Sequence, residues 1–231
     1  MKIAEMSWRD AEAAAARDPR CVLPLGSVEQ HSGLSLATDA ILAERVATEA
    51  AEPLGVPVYP AMPFGLAPYF TAFPGTISLR VETLLAVMRD LVASCARSGF
   101  SRVLIVNGHG GNNPVGALAQ ELSAPGGVSV KFHNWWAAPA TMARAKAIDP
   151  TASHANWMEN FPWTRLVPER PGEKPMVDIE ALRPASAAQV RAAIDDGSYG
   201  GPWQRPDADM LALWETGVAE TRAALEGPWP D

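Results

Sequence analysis

The amino-acid sequence predicts a layered α/β fold with a mostly parallel central sheet. Short aliphatic and β-branched runs alternate with longer amphipathic segments up to about residue 134, which is the order that βαβ units produce. Two of the runs, residues 21–26 and 102–107, have apolar interiors, as strands covered on both faces usually do. The chain has 231 residues and is 48% hydrophobic, so it can bury such a sheet in one domain over residues 1–231.

The first elements are justified by their end signals and periodicity. In order they are a helix over 7–16, a strand over 21–26, a helix over 38–50 and a strand over 56–61. Ser7 is a good N-cap for the first helix, and either Thr38 or Asp39 opens the second. Pro57 and Pro60 weaken the pattern of the last strand, because proline cannot donate a ladder hydrogen bond.

The remaining elements continue the alternation. They are a helix over 78–99, a strand over 102–107, a helix over 114–122, a strand over 128–133, and helices over 185–195 and 207–225. Ser78 is expected to cap the long amphipathic helix, which ends at Gly99. Residues 137–175 are rich in proline and tryptophan and are predicted to be irregular.

Composition argues for a small-molecule partner. Lys and Arg number 19 against 26 Asp and Glu, giving a net charge of −7 and no basic footprint for nucleic acid or an anionic membrane. Since no apolar run is long enough to span a bilayer and the N-terminal segment carries acidic residues where a signal peptide would be apolar, we expect a cytoplasmic protein. Cys21 and Cys95 lie in apolar runs and are expected to be reduced, buried thiols.

The most informative polar residues follow predicted strands. Glu29 and His31 come after the first strand, His109 comes after the strand over 102–107, and Asp39 stands at the start of a helix. Because ligands collect at the carboxyl ends of parallel strands, we expect these four side chains to converge. Two imidazoles and two carboxylates suit Zn, Mn or Fe, and a shared carboxylate can hold two ions about 3.5 to 4 Å apart.

Two alternatives weigh against that interpretation. Glu29 and His31 can simply form a hydrogen-bonded pair on the surface. The glycine-dense segment around His109, residues 107–114, can cradle a phosphate, although it fits neither a Walker loop nor a dinucleotide fingerprint.

The remaining histidines are less diagnostic. His154 and Glu159 can reach the same pocket if residues 154–159 form a loop over the strand ends, but a structural histidine and a solvated carboxylate fit the spacing equally well. His133 ends a predicted strand, and we expect it to pack in the core or behind the site.

Taken together, the motifs resemble the creatininase family of amidohydrolases. The matching segments are LPLGSVEQH at 23–31, Thr38 with Asp39, FPGT at 73–76, NGHGGN at 107–112, and His154 with Ala155 and Glu159. The resemblance implies a three-layer α/β/α sandwich, two divalent ions (Zn or Mn, with Fe as an option), hydrolysis of an amide-like bond in a small and often cyclic molecule, and a homo-oligomer, frequently a hexamer.

The resemblance also assigns roles to residues. It implies Glu29, His31, Asp39 and His109 as metal ligands, with Asp39 bridging, and Glu159 as the last ligand and a catalytic group. His154 matches a histidine suited to substrate contact and proton transfer.

The expected reaction is attack of a metal-activated water on a substrate carbonyl, after which His154 protonates the leaving group. Asn107, Asn112 or backbone amides of the glycine turn are expected to stabilise the oxyanion, and Trp136 is expected to contact substrate. Two alternatives stay open: hydrolysis of a cyclic ketone such as a keto-inositol, and a metal-binding protein without catalysis.

The sequence also departs from the family pattern. Residues 32–36 form a loop one residue shorter than usual that lacks a second histidine, and Phe70 stands where many relatives carry a histidine. These departures predict a different pocket edge and argue against creatinine as the substrate.

Overall fold

A computed structural model describes residues 1–124, 126–168 and 172–230. Its central sheet has three parallel strands, β1 (Arg20–Leu25), β2 (Arg102–Asn107) and β3 (Ser129–Asn134), in the spatial order β1-β2-β3. The pairing register aligns the last residues of the three strands with one another. All three therefore end at one edge of the sheet, and the predicted α/β fold is confirmed.

Eight α-helices surround the sheet in the described part of the chain. They are α1 (Trp8–Arg17), α2 (Thr38–Ala51), α3 (Val81–Arg97), α4 (Pro114–Ser123), α5 (Pro139–Ile148), α6 (Ile179–Leu182), α7 (Ala187–Ile194) and α8 (Asp207–Glu226). The short strands β4 (Glu173–Lys174) and β5 (Gly201–Pro202) pair antiparallel away from the main sheet. No helix among the described residues has both the length and the apolarity needed to cross a bilayer.

Alternating side chains of the strands build two cores, one on each face of the sheet. Leu104 and Val106 of β2 pack with α2, α5 and α8, whereas Val103 and Ile105 pack with α1, α3 and α4. This period of two is what an extended strand imposes. The result is the expected three-layer arrangement, and both cysteines are buried as free thiols.

The strand predicted over residues 56–61 is wrong as a regular strand. This segment runs beside β1 and makes only isolated bridges. Val22 N–H donates to the carbonyl of Pro57, and Tyr59 N–H donates to the carbonyl of Val22, both at 2.9 Å. Pro57 and Pro60 have no N–H, so the ladder cannot continue past them.

The predicted start of α3 also needs correction. Ser78 does not cap the helix, which begins three residues later at Val81. Instead, the Ser78 hydroxyl accepts a hydrogen bond from Ala67 N–H and donates to the carbonyl of Leu79. Ser78 therefore fastens the preceding loop to the helix entrance.

Helix α5 lies inside the region predicted to be irregular, which corrects that prediction. Its sequence, PATMARAKAI, mixes small and basic residues and has no clear apolar stripe, so the helical period is hard to see. Its N-cap residue is Ala138, which has no side-chain acceptor. Glu220 of α8 takes that place, accepting hydrogen bonds from the N–H groups of Ala140 and Thr141 and from the Thr141 hydroxyl.

We expect Glu220→Ala to lower the free energy of unfolding by about 1–2 kcal/mol, because the start of α5 loses its cap. Burial alone would raise the pKa of Glu220, but the hydrogen bonds from Ala140 and Thr141 outweigh it and lower the pKa. The contribution is therefore present at neutral pH and is lost as the pH falls through the lowered pKa. Urea unfolding at pH 7 and in acid measures both effects.

The matched control is Glu215→Ala, an exposed position on the same helix, which should change stability by less than about 0.5 kcal/mol. Equal losses for the two variants would show that Glu220 does not act as a remote cap.

Candidate metal centre and its cavity

Six side chains singled out from the sequence converge at the carboxyl edge of the sheet: Glu29, His31, Asp39, His109, His154 and Glu159. The first two lie in the loop after β1, the third is the second residue of α2, and the fourth follows β2. The last two come from the segment between α5 and β4, in which His154 lies in a turn and Glu159 ends a short 3-10 helix (Trp157–Glu159). Because the three parallel strands end at the same level, the segments that follow them lie close together although they are distant in sequence.

Asp39 is the centre of the cluster. Its Oδ1 lies 3.0 Å from His31 Nε2, and its Oδ2 lies 3.0 Å from His109 Nδ1. Two groups of candidate ligands share it: Glu29, Asp39 and His109 in one, and His31, Asp39 and Glu159 in the other, with donor atoms within 4.8 Å of one another. A carboxylate with each oxygen turned to a different histidine has the arrangement of a bridging ligand.

The tautomers of the two central histidines follow from their outer hydrogen bonds. His31 Nδ1–H donates to the carbonyl of Glu29 at 3.1 Å, and His109 Nε2–H donates to the carbonyl of Leu66 at 2.7 Å. The other ring nitrogens, which face Asp39, are therefore the ones that can act as ligands once they are deprotonated. Backbone carbonyls commonly hold metal-binding histidines in this way.

The donor set fits divalent cations. Glu29 is buried, and its Oε2 has no hydrogen-bond partner within the described residues, although the other oxygen lies 3.2 Å from His109 Nδ1. Burying a carboxylate oxygen without a partner is costly unless a cation or proton compensates. Burial accordingly raises the pKa of the Glu29 carboxyl.

Without a cation, protons are held in the cluster. Burial opposes charge on His31, but the carboxylates of Asp39 and Glu159 outweigh it and raise its pKa to about 10. Burial would raise the pKa of Asp39, yet the neighbouring imidazoles of His31 and His109 lower it. Burial raises the pKa of Glu159 to about 7. A cation entering the site therefore has to displace protons.

His154 sits in an aromatic enclosure. Its ring stacks on Phe70 with centroids 4.7 Å apart and an interplanar angle of 10°, and Tyr199 packs at 4.9 Å. Burial lowers the pKa of His154 well below its usual value, and the charge of His31 acts in the same direction. The imidazole is therefore neutral at physiological pH.

Gln30 determines which nitrogen of His154 carries the proton, a role that the sequence pattern did not reveal. Gln30 Oε1 accepts from Ser32 N–H at 3.1 Å, which fixes the side-chain amide, and its Nε2 donates to the carbonyl of Gly197 and to His154 Nε2, both at 2.9 Å. The proton of His154 consequently resides on Nδ1, which lies 3.9 Å from Glu159 Oε2. The only available signal was the position of Gln30 between two candidate ligands.

Asn107 and Asn112 were expected at the substrate, but the structure uses them to support the glycine turn. Asn107 Nδ2 donates to the carbonyl of His109 at 2.6 Å, and Asn112 Nδ2 donates to the carbonyl of Gly26 at 3.0 Å. Both side chains are completely buried and neither lines the cavity. Their amides are saturated internally, so we do not assign them a substrate contact.

Gly111 explains why the turn is rich in glycine. A Cβ at this position would collide with the carbonyl of Leu66 and with His109 Nε2, the two partners of the hydrogen bond that orients the histidine. Only a residue without a side chain lets the two segments meet there.

A cavity of about 840 Å³ adjoins the cluster. Trp136, expected to contact substrate, lines it together with Glu29, Asp39, His109, His154 and Glu159. His133 lies elsewhere, with its Nε2 3.1 Å from the Thr221 hydroxyl of α8. The aromatic part of the wall, including Phe70 and Tyr199, was not predicted, because these residues are far apart in sequence and have no ligand spacing.

The protein is therefore of the class of three-layer α/β proteins that carry a candidate metal site of carboxylates and imidazoles at the carboxyl edge of a parallel sheet. The sequence profile of creatininases, described as creatinine amidohydrolase, matches residues 4–225. The chain belongs to the creatininase family.

Individual relatives agree with this assignment. Creatinine amidohydrolase of Pseudomonas putida is 33% identical over 114 residues, 46% of this chain and 44% of that protein. Mycofactocin precursor peptide peptidase of Mycolicibacterium smegmatis is 37% identical over 108 residues, 44% of this chain and 42% of that protein. These matches span less than half of the curated relatives. A solved structure named "Creatininase Mn" superposes with a TM-score of 0.79 at 21% identity, covering 100% of this chain and 99% of that one, and shows the shared fold.

Proposed function

We propose that this protein is a metal-dependent hydrolase that cleaves the C–N bond of an amide in a small molecule. The observation that carries the proposal is Asp39, a buried carboxylate whose two oxygens face different imidazoles at 3.0 Å each. Asp39, Glu29 and His109 would hold one divalent ion, and Asp39, His31 and Glu159 would hold the second. Zn and Mn both suit imidazole with carboxylate.

When bound, such a pair of ions polarises a carbonyl and lowers the pKa of water. The chain's own contribution is positioning and proton transfer. His154 is neutral, carries its proton on Nδ1 and is held in place by Gln30. A neutral imidazole does not lose this proton unaided, so His154 would pass it to the departing nitrogen only as protonated Glu159 replaces it. Glu159 Oε2, fixed by a 2.6 Å hydrogen bond from Ala155 N–H, can receive the proton that water loses and return it to His154. The balance is one amide and one water converted into a carboxylate and a protonated amine.

Removal and replacement of metal test the proposal. We expect the chelated protein to lose amide hydrolysis and to recover it when Zn or Mn is added. Titration of the metal-free protein should release protons, because protonated His31 competes with the cation. Since its raised pKa of about 10 lies above neutral pH, affinity should fall as the pH falls, by about tenfold per pH unit for each proton displaced. Calorimetry in buffers of different ionisation enthalpy counts these protons.

The substrate panel should contain lactams, formamides, short peptides and keto-inositols. Full turnover by metal-free protein would refute the metal-dependent mechanism. If the protein turns over a keto-inositol but no amide, the bond that it cleaves is a C–C bond next to a ketone and not a C–N bond. Tight metal binding without turnover of any compound would favour a metal-binding protein that lacks catalysis.

A further inference from the structure

The cavity beside the donor cluster has an apolar wall. Its lining includes Tyr69, Phe70, Leu79, Trp136, Met142 and Ile179. Outside the donor cluster, Arg80 is the one charged side chain among the described lining residues, and its Nε lies 3.3 Å from Glu82 Oε1. Uncharged polar side chains are few on this wall: Ser153 and Tyr199 line it, and the Tyr69 hydroxyl and the Trp136 indole N–H are buried without a hydrogen-bond partner among the described residues.

This wall favours an apolar group in the substrate. A polar substituent placed against Leu79, Met142 and Ile179 would leave water without a side-chain hydrogen-bond partner there, which costs free energy. An apolar substituent gains roughly in proportion to the surface it buries. Since a cavity of about 840 Å³ is of the size that accommodates drug-sized ligands, a small polar ring alone would leave most of it unfilled.

The identity of the wall residues points further, to an aromatic group. Tyr69 and Trp136 offer ring faces and edges, which pair favourably with another ring. Met142 and Met158 add flexible thioethers that adapt to flat ligands. Phe70 already stacks on His154, so the apolar wall reaches the proposed proton donor itself.

We propose that the substrate is an uncharged amide bearing a bulky aromatic group, which packs against this wall while the scissile carbonyl lies at the donor cluster. The inference rests on the proposed function, and the experiment separates the two. The metal-loaded protein is titrated with acetohydroxamate and with 2-naphthohydroxamate, which share one chelating group and differ in the apolar part. We expect the naphthyl compound to bind at least about tenfold more tightly.

Variants of the wall locate the effect. Val81 and Ile179 both line the cavity, and Val81 is 49% exposed, so its replacement should not unfold the protein. Val81→Asn and Ile179→Asn should each reduce the preference for the naphthyl compound and leave acetohydroxamate affinity unchanged. Leu211→Asn, at a 44% exposed position on α8, is the matched control and should leave the preference intact.

Each outcome has a distinct meaning. Equal affinity for the two compounds, or a preference that survives both wall substitutions, overturns the aromatic substrate class while leaving the metal site standing. If neither compound binds, the metal-dependent function fails instead. The wall is then tested by tryptophan fluorescence of the metal-free protein with 2-naphthamide and acetamide, where equal or absent binding overturns the inference.

Discussion

Replacing Asp39 by Asn is expected to abolish binding of the paired metal ions and to reduce amide turnover by more than about 100-fold. Changes to residues that only support a metal ligand already cost 10- to 100-fold, and Asp39 belongs to both ligand groups. The substitution keeps the size of the side chain but removes its charge and one of the two oxygens. Metal content after dialysis and turnover in the presence of excess metal measure the two effects.

Asp90→Asn is the matched control, because Asp90 is an exposed aspartate on α3 that belongs to neither ligand group. It should bind metal and turn over like the unmodified protein. Circular dichroism should show that both variants are folded. Two bound ions per chain in Asp39→Asn would exclude the bridging role.

His154→Asn should retain both ions and lose about 10²- to 10⁴-fold in kcat, the usual contribution of a positioned acid or base. The Asn amide can still donate a hydrogen bond near the place of Nδ1, but it cannot release its proton. Metal analysis and single-turnover rates separate binding from chemistry. Unchanged kcat would remove His154 from the proton path.

Two further variants make this test specific. His133→Asn changes another largely buried histidine, which pairs with Thr221 outside the cluster, and should leave kcat unchanged. Gln30→Glu offers His154 Nε2 an acceptor where the donor stood, so the proton should move from Nδ1 to Nε2. Nitrogen NMR of the histidine ring reports the tautomer in the Zn-loaded protein, and kcat should fall with metal content unchanged.

Much of the fold could be predicted because the spacing of apolar residues shows most strands and helices directly in the sequence. Strand β2 was predicted with its observed bounds, since RVLIVN is apolar inside and lies between Gly99 and a glycine turn. The strand over 56–61 was predicted from its apolar residues although two prolines weakened the pattern, and the missing proline N–H donors leave only isolated bridges. Helix α5 was missed because its cap, Glu220, lies 80 residues away in sequence.

The candidate site was likewise predicted only in part. The convergence of His31, Asp39 and His109 followed from the position of their segments at strand ends, which topology alone places together. The environment of His154 did not follow, because Phe70 and Tyr199 reach it through tertiary packing. The side-chain amides of Asn107 and Asn112 were expected at the substrate but hold the turn itself, because a sequence does not show which donors a loop uses internally.

The hydrogen bond from His109 to the carbonyl of Leu66 ties the candidate metal centre to the loop that walls the cavity, since Leu66 and Phe70 belong to one connecting segment. By thermodynamic reciprocity, a cation that favours this orientation of His109 also favours the matching shape of the loop, to the same extent in free energy. Loading with metal and seating of an organic ligand are therefore linked equilibria, and each strengthens the other when both select the same loop conformation.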